Sequence, residues 1–232
     1  MAGGNKPGPV GQNPVRGGNT QGGGTTPLTR PAGPGPVNPA NSASLARPPA
    51  PPAVQGWPSQ LEWSQFNTVA SPSDGGTEQA QIATSIPPIA SITVEHHGNT
   101  VSLGPFTLKL EVDKSNCWVV RGQTSAALLR HEQVHWDIAG LNAHEVSRAL
   151  KALRESNTAA LGTQVQTTMA NLAIKAQAMQ FWYDDESKHG LDARGQKTWE
   201  DKVAAAIANQ NAALPNPPEK FLKQARDAAQ NP

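Results

Sequence analysis

The residues best suited to chemistry lie in one short run, His131-Glu132-Gln133-Val134-His135. Residues i and i+4 sit about one turn apart on one face of a helix, so both imidazoles can address the same ion. Neutral histidine nitrogen is a good zinc ligand, and a glutamate beside the first ligand can take a proton from a water that the ion activates. Accident explains the spacing poorly. With 6 His and 10 Glu in 232 residues, a random H-E-x-x-H arises in roughly one such chain in a hundred.

A helix must carry that run. Thr124 or Ser125 can cap one that extends to about Glu155, with the two histidines in its second turn. Ser156-Asn157 marks a break. A second helix over about 158–183 carries Leu161, Val165, Leu172, Ala176, Met179 and Tyr183 on one face, at steps of three and four. If the chain turns back at 156, the antiparallel partner level with His131 and His135 is about residues 177–181, given equal rise in both helices. The segment Tyr183-Asp184-Asp185-Glu186-Ser187-Lys188-His189-Gly190, the other region rich in ligand-type residues, then returns to the mouth of the site. A third helix over about 197–213 and a short terminal one follow.

Upstream of the helices the pattern changes to alternation. Residues 81–86, 92–95, 100–103, 106–112 and 117–120 read as short half-buried strands, with turns at His97-Gly98-Asn99 and Asp113-Lys114-Ser115-Asn116. The segment Gly56 to Phe66, with Trp57, Trp63 and Phe66, opens the folded part. The expected fold class is α+β, a small, mostly antiparallel sheet followed by a helical half.

Composition sets the outer limits. Residues 1–55 hold 11 Gly and 12 Pro and neither an acidic nor an aromatic residue. Such a stretch cannot bury enough apolar surface to offset an ordering entropy of about 1–2 kcal/mol per residue. It reads as a disordered tail or linker, with polyproline character near Arg47-Pro48-Pro49-Ala50-Pro51-Pro52. Residues 56–232 suit one domain. Four scattered cations in the tail and a net charge of +1 overall make no nucleic-acid-binding patch. No apolar run is long enough to span a membrane, and no apolar leader segment is visible, so the compartment stays open. The single Cys117 precludes an intrachain disulfide or a multi-cysteine zinc cluster, and reads as a small core residue.

Three stretches together resemble a known family. Leu129-Arg130-His131-Glu132-Gln133-Val134-His135-Trp136-Asp137-Ile138 matches L-x-H-E-Q-x-H-[FW]-D-I. Tyr183 to Gly190, followed by Gln196 and Trp199, matches Y-D-x-E-[TS]-x-H-G with a downstream Q-x-x-W. Leu61-Glu62-Trp63-Ser64-Gln65-Phe66 resembles L-x-W-x-x-F. Over about residues 57–205 the chain thus resembles the bacterial family called domain of unknown function 922, predicted zinc-dependent peptidases of zincin type. The resemblance implies a zincin-like fold and a zinc cofactor. It also implies an export signal, which this sequence does not display.

On that footing His131 and His135 are expected zinc ligands and Glu132 the general base. His189 is the expected third ligand, leaving one position open for chemistry, with Glu186 and Asp184 as competing carboxylates. Tyr183 is a candidate oxyanion donor, or else a core tyrosine with a satisfied hydroxyl. His144 lies about 900° beyond His135 around the helix and faces away. The extended zinc pattern would need Gly at 138 and His at 141, which here are Ile138 and Leu141. Glu145 lies too far along the axis. Asp137 is placed to bind a ligand imidazole or the neighbouring loop, His96-His97 is an exposed hairpin tip, and Trp136 and Trp182 are expected as apolar wall. The expected function is zinc-dependent hydrolysis of a peptide or protein substrate. The alternatives are a non-catalytic zincin-like scaffold and a zinc amidase acting on a non-protein amide.

Overall fold

Local capping chemistry sets where the helices begin. The computed structural model describes residues 54–72, 76–87, 92–209 and 214–230, so the tail expected over 1–55 lies outside the described residues up to position 53. Helix α1 spans Ala126–Ala152, and the Ser125 side chain accepts the Leu128 N–H as its N-cap. Asn157 does the same for α2, Thr158–Ser187, by accepting from Ala160. Asp192 accepts from Arg194 and Gly195 to open α3, Ala193–Ala208. A last helix, α4, covers Glu219–Gln230.

The strands are shorter and more divided than the alternation suggests. They are β1 (Asn67–Val69), β2 (Ala80–Gln81), β3 (Thr84–Ser85), β4 (Val94–His97), β5 (Thr100–Leu103), β6 (Glu111–Val112) and β7 (Trp118–Val120). β7 lies between β1 and β2, β3 pairs with β6, and β4 with β5. The β1–β7 pairing is parallel and the other three are antiparallel. The run expected over 81–86 breaks in two because its central N–H groups leave the ladder. Ile82 donates to the Glu132 carboxylate at 2.8 Å and Ala83 to Cys117 Sγ at 3.1 Å.

The stretch 106–110 keeps its alternation, with Phe106, Leu108 and Leu110 buried, but its partner is the chain just before the expected domain start. Gln55 donates to the Leu108 carbonyl and accepts from Leu110, both at 2.9 Å. That pairing draws Val54 into the core at 3 % exposure. The packed region therefore begins by residue 54 rather than 56.

Helix α1 divides the interior. Trp136 and Ala143 face the strands, among Trp57, Leu61, Phe66, Cys117 and Val119. Val134 and Ile138 face α2 and α3, among Met179, Tyr183, Trp199 and Val203. Farther along, Val146 and Leu150 pack on Phe106 and Leu108. Each large side chain so buried contributes roughly 1.5–3 kcal/mol, so α1 is held against the strands, against α2 and α3, and against the 106–108 stretch. Its register, and with it the placing of His131 and His135, is fixed by packing.

Candidate metal centre

Two helical pairs face each other across the α1–α2 interface. The helices run antiparallel, since Glu145 meets Lys175, His135 meets Gln180 and His131 meets Asp184. Residues 180 and 184 therefore stand on α2 as 135 and 131 stand on α1, each pair one turn apart. The three donor atoms converge. Asp184 Oδ1 lies 3.3 Å from His131 Nε2 and 2.9 Å from His135 Nε2, and the two Nε2 atoms are 3.1 Å apart. His131, His135 and Asp184 form the one group of three or more such residues among those described that could hold a metal ion.

Two glutamines set the faces of the imidazoles. The Gln180 amide donates to the His135 backbone carbonyl at 3.2 Å, which turns its Oε1 to His135 Nδ1 at 2.6 Å. Gln196 donates to Glu200 at 3.1 Å, leaving Oε1 3.3 Å from His131 Nδ1. An amide oxygen accepts only, so each Nδ1 carries its proton and each Nε2 is turned to the common point. Such partners orient ligand histidines in metal sites and raise their basicity. Tyr183 completes the frame. Its ring stacks on His131, and its hydroxyl donates to Gln196 at 2.6 Å, with the His131 carbonyl at 3.2 Å.

The cluster is electrostatically coupled. Burial pulls the His135 imidazole down, but the adjoining Asp184 carboxylate outweighs it and raises its pKa to about 9. Burial works upward on Asp184 too, yet the two histidines hold its carboxyl well below the usual range. Glu132, 2 % exposed, is pushed up by burial, against the pull of His135, His131 and the Ile82 N–H.

A cavity of about 690 Å³ opens beside these groups. His131, Glu132, His135, Asp184, His189 and Glu78 line one end, and Ala139, Val146, Met169, Leu172 and Ala173 line the other. Segment 78–84 forms a further wall.

Other sequence expectations meet the geometry unevenly. His189 stands at the mouth, 55 % exposed on its side chain, with Nδ1 3.6 Å from Asp184 Oδ1 and 3.8 Å from Glu78. It falls outside the group whose donor atoms all lie within 4.8 Å of one another, and Asp184 takes the third place in that group. Left-handed backbone at Lys188, His189 and Gly190 sets the loop over the site, and a Cβ on Gly190 would come within 3.1 Å of the His131 side chain.

Glu186 turns away to α3 and accepts from the Trp199 indole at 2.8 Å. Tyr183 is fully buried and does not line the cavity, so its hydroxyl supports Gln196 rather than facing a ligand. Trp136 and Trp182 are likewise absent from the cavity wall. Trp136 faces the strands, and Trp182 packs on Trp199 and Phe221. Cys117 is a buried thiol whose sulfur accepts the Ala83 N–H.

The opposite face of α1 grips the opening segment. Gln133 accepts from Leu61 N–H at 2.8 Å and donates to the Ser59 carbonyl. Asp137 takes the loop-binding role, accepting the Trp57 indole N–H at 2.9 Å. His144 packs edge-on to the same indole, 5.2 Å between ring centroids. The Trp57 ring lies so close to Gly140 that a Cβ there would sit 2.2 Å from it.

Sequence reasoning missed Gln180 and left Gln196 without a role. A signal for Gln180 existed: it falls within the stretch placed level with the histidines, between the apolar Met179 and Phe181 and one turn before Asp184. Among the described residues no helix is long and apolar enough to cross a membrane.

No curated protein and no solved structure matches the chain. Residues 108–190 match the model of a family described as bacterial protein of unknown function (DUF922), a stretch that runs from the buried Leu108 through the histidines and Asp184 to Gly190.

Proposed function

We propose that this protein is a zinc-dependent hydrolase of peptide bonds, with His131, His135 and Asp184 as metal ligands and Glu132 as general base. The observation that carries this reading is the spacing of the three donors. Zinc bonds of about 2.0–2.2 Å at tetrahedral angles separate ligand atoms by roughly 3.3–3.5 Å, and here the separations are 2.9–3.3 Å. Both imidazoles already present Nε2, held by Gln180 and Gln196. Three protein donors of this kind suit a catalytic rather than a closed structural site.

Zinc bound there would polarise a substrate carbonyl and make an attacking water acidic near neutral pH. Glu132 follows His131 directly, lines the cavity and receives the Ile82 N–H on Oε2. Its raised proton affinity suits it to take the proton of that water and deliver it to the leaving amine. Low exposure around the cluster strengthens each of these interactions. In this reading His189, exposed at the rim, contacts the substrate above Asp184, and Asp184 takes the third ligand position. Tyr183 acts as a positioning residue through Gln196.

Glu132→Gln tests the catalytic half of the reading. Metal content should be unchanged while turnover of a cleaved peptide falls by about 10²–10⁴-fold. Unchanged turnover would overturn the assignment of Glu132.

A further inference from the structure

One wall of the cavity carries a charge that the metal chemistry leaves unused. The wall is segment 78–84, and the fold holds it along its length. The Gln79 carbonyl accepts the Val120 N–H at 2.8 Å, Ala80 and Gln81 pair with β7, and Ile82 donates to Glu132. Glu78 opens this anchored run and lines the cavity beside the metal donors. Its side chain is 43 % exposed and meets His189 Nδ1 at 3.8 Å, beyond hydrogen-bond length. That same Nδ1 lies 3.6 Å from Asp184 Oδ1. The Glu78 carboxylate is therefore no farther from Asp184 Oδ1 than these two distances together.

The permanent charges on the cavity lining have one sign. They are Glu78, Glu132 and Asp184, and neither Lys nor Arg is among the lining residues. Lys188, next to His189 in the chain, pairs with Asp185 instead. On the hydrolase reading Asp184 binds the doubly charged ion and Glu132 serves the water, so those charges balance and Glu78 remains. A cleft lined by one sign of charge draws ligands of the other. An extended peptide advances about 3.3 Å per residue, which puts Glu78 within about two residues of the bond to be cut. We propose that Glu78 determines specificity by accepting a cationic group of the substrate there, either a basic side chain or a free amino terminus. A substrate carboxylate in that place would face Glu78 with no lining Lys or Arg to offset the repulsion. This assignment rests on the hydrolase reading and names the substrate class it takes.

The test uses full-length, zinc-loaded protein and binding by calorimetry. The probes are blocked hydroxamates carrying two norleucines, built so that the peptide runs from the metal in one direction or the other. Each is compared with forms in which either norleucine is lysine or the amino terminus is free. At least one cationic form should bind about fivefold tighter than its neutral parent, and the gain should shrink as salt is raised. Glu78→Gln should remove the gain and leave the neutral parents unaffected. A gain with lysine alone assigns a basic side chain, and a gain with the free amine alone assigns an amino terminus. Equal binding of cationic and neutral probes by wild type, or a gain that survives in Glu78→Gln, would overturn the proposal while leaving the metal site intact. Two zinc ions per chain in wild type and one in Glu78→Gln would overturn it too, because Glu78 would then be a ligand. Failure of any hydroxamate to bind would overturn the metal reading and this one with it.

Discussion

The two faces of α1 carry the same kinds of residue and do different work. On one face His131, Glu132, His135 and Asn142 line the cavity. On the other, Gln133, Asp137, Gly140 and His144 hold the opening segment through Leu61 and Trp57. Each face has histidine, carboxylate and amide. What separates them is the element opposite. The first face meets Gln180 and Asp184, whose acceptors converge on the imidazoles. The second meets an indole and backbone groups that its polar side chains simply satisfy. A polar residue on a buried helix becomes a site only where a second element aims compatible donors at one point.

Substitutions on the two faces should separate these roles. His135→Ala removes a proposed ligand and a partner of Asp184, and should abolish both metal retention and turnover, by elemental mass spectrometry and peptide cleavage. Gln180→Ala should weaken metal affinity by about 10–100-fold in competition with a chelator, because Nδ1 loses its acceptor. If affinity holds, the tautomer argument is wrong.

Acidity sharpens the comparison further. In metal-free protein His135 is raised from 6.5 to about 9, so below about pH 9 an entering ion must displace a proton. Metal affinity should therefore fall about tenfold per pH unit on acidification below that value. The folding contribution runs the other way. A raised histidine stabilises fully below its unfolded value of 6.5 and loses that contribution as pH rises through about 9. Asp184 is lowered from 3.8, so its contribution holds above that value and is lost as pH falls. Metal-free protein should thus melt highest between about pH 4 and 6.5 and metal-loaded protein at higher pH, as calorimetric scans would reveal.

The smallest effect belongs to the gripping face. Gly140→Ala should lower stability by about 1–3 kcal/mol through collision with Trp57, with metal affinity unchanged. A change in metal affinity would mean that the two faces are coupled through the helix.

Much of this arrangement was legible before any coordinates. A cap at Thr124 or Ser125 and a break at Ser156-Asn157 follow from residue type, and the return of residues 183–190 to the histidines follows from spacing, because a helix has one rise and one pitch. The choice among Asp184, Glu186 and His189 did not follow. Three side chains within six residues differ in direction by parts of a turn, and where α2 ends in left-handed backbone at Lys188 decides which of them faces inward. The strands were legible as alternation but not as ladders, since Ile82 and Ala83 give their N–H groups to Glu132 and Cys117. Gln133 and Asp137 lie beside the histidines in sequence, and only the partner Trp57, 80 residues before Asp137, assigns that carboxylate to the fold rather than the site.

The most direct test of the metal centre is zinc content after reconstitution, measured side by side on wild type, Asp184→Ala and His189→Ala. One zinc per chain in wild type and in His189→Ala, with loss in Asp184→Ala, is the result that this arrangement of donors predicts. Zinc kept by Asp184→Ala and lost from His189→Ala would contradict the ligand assignment, and no zinc in wild type would contradict the metal centre itself.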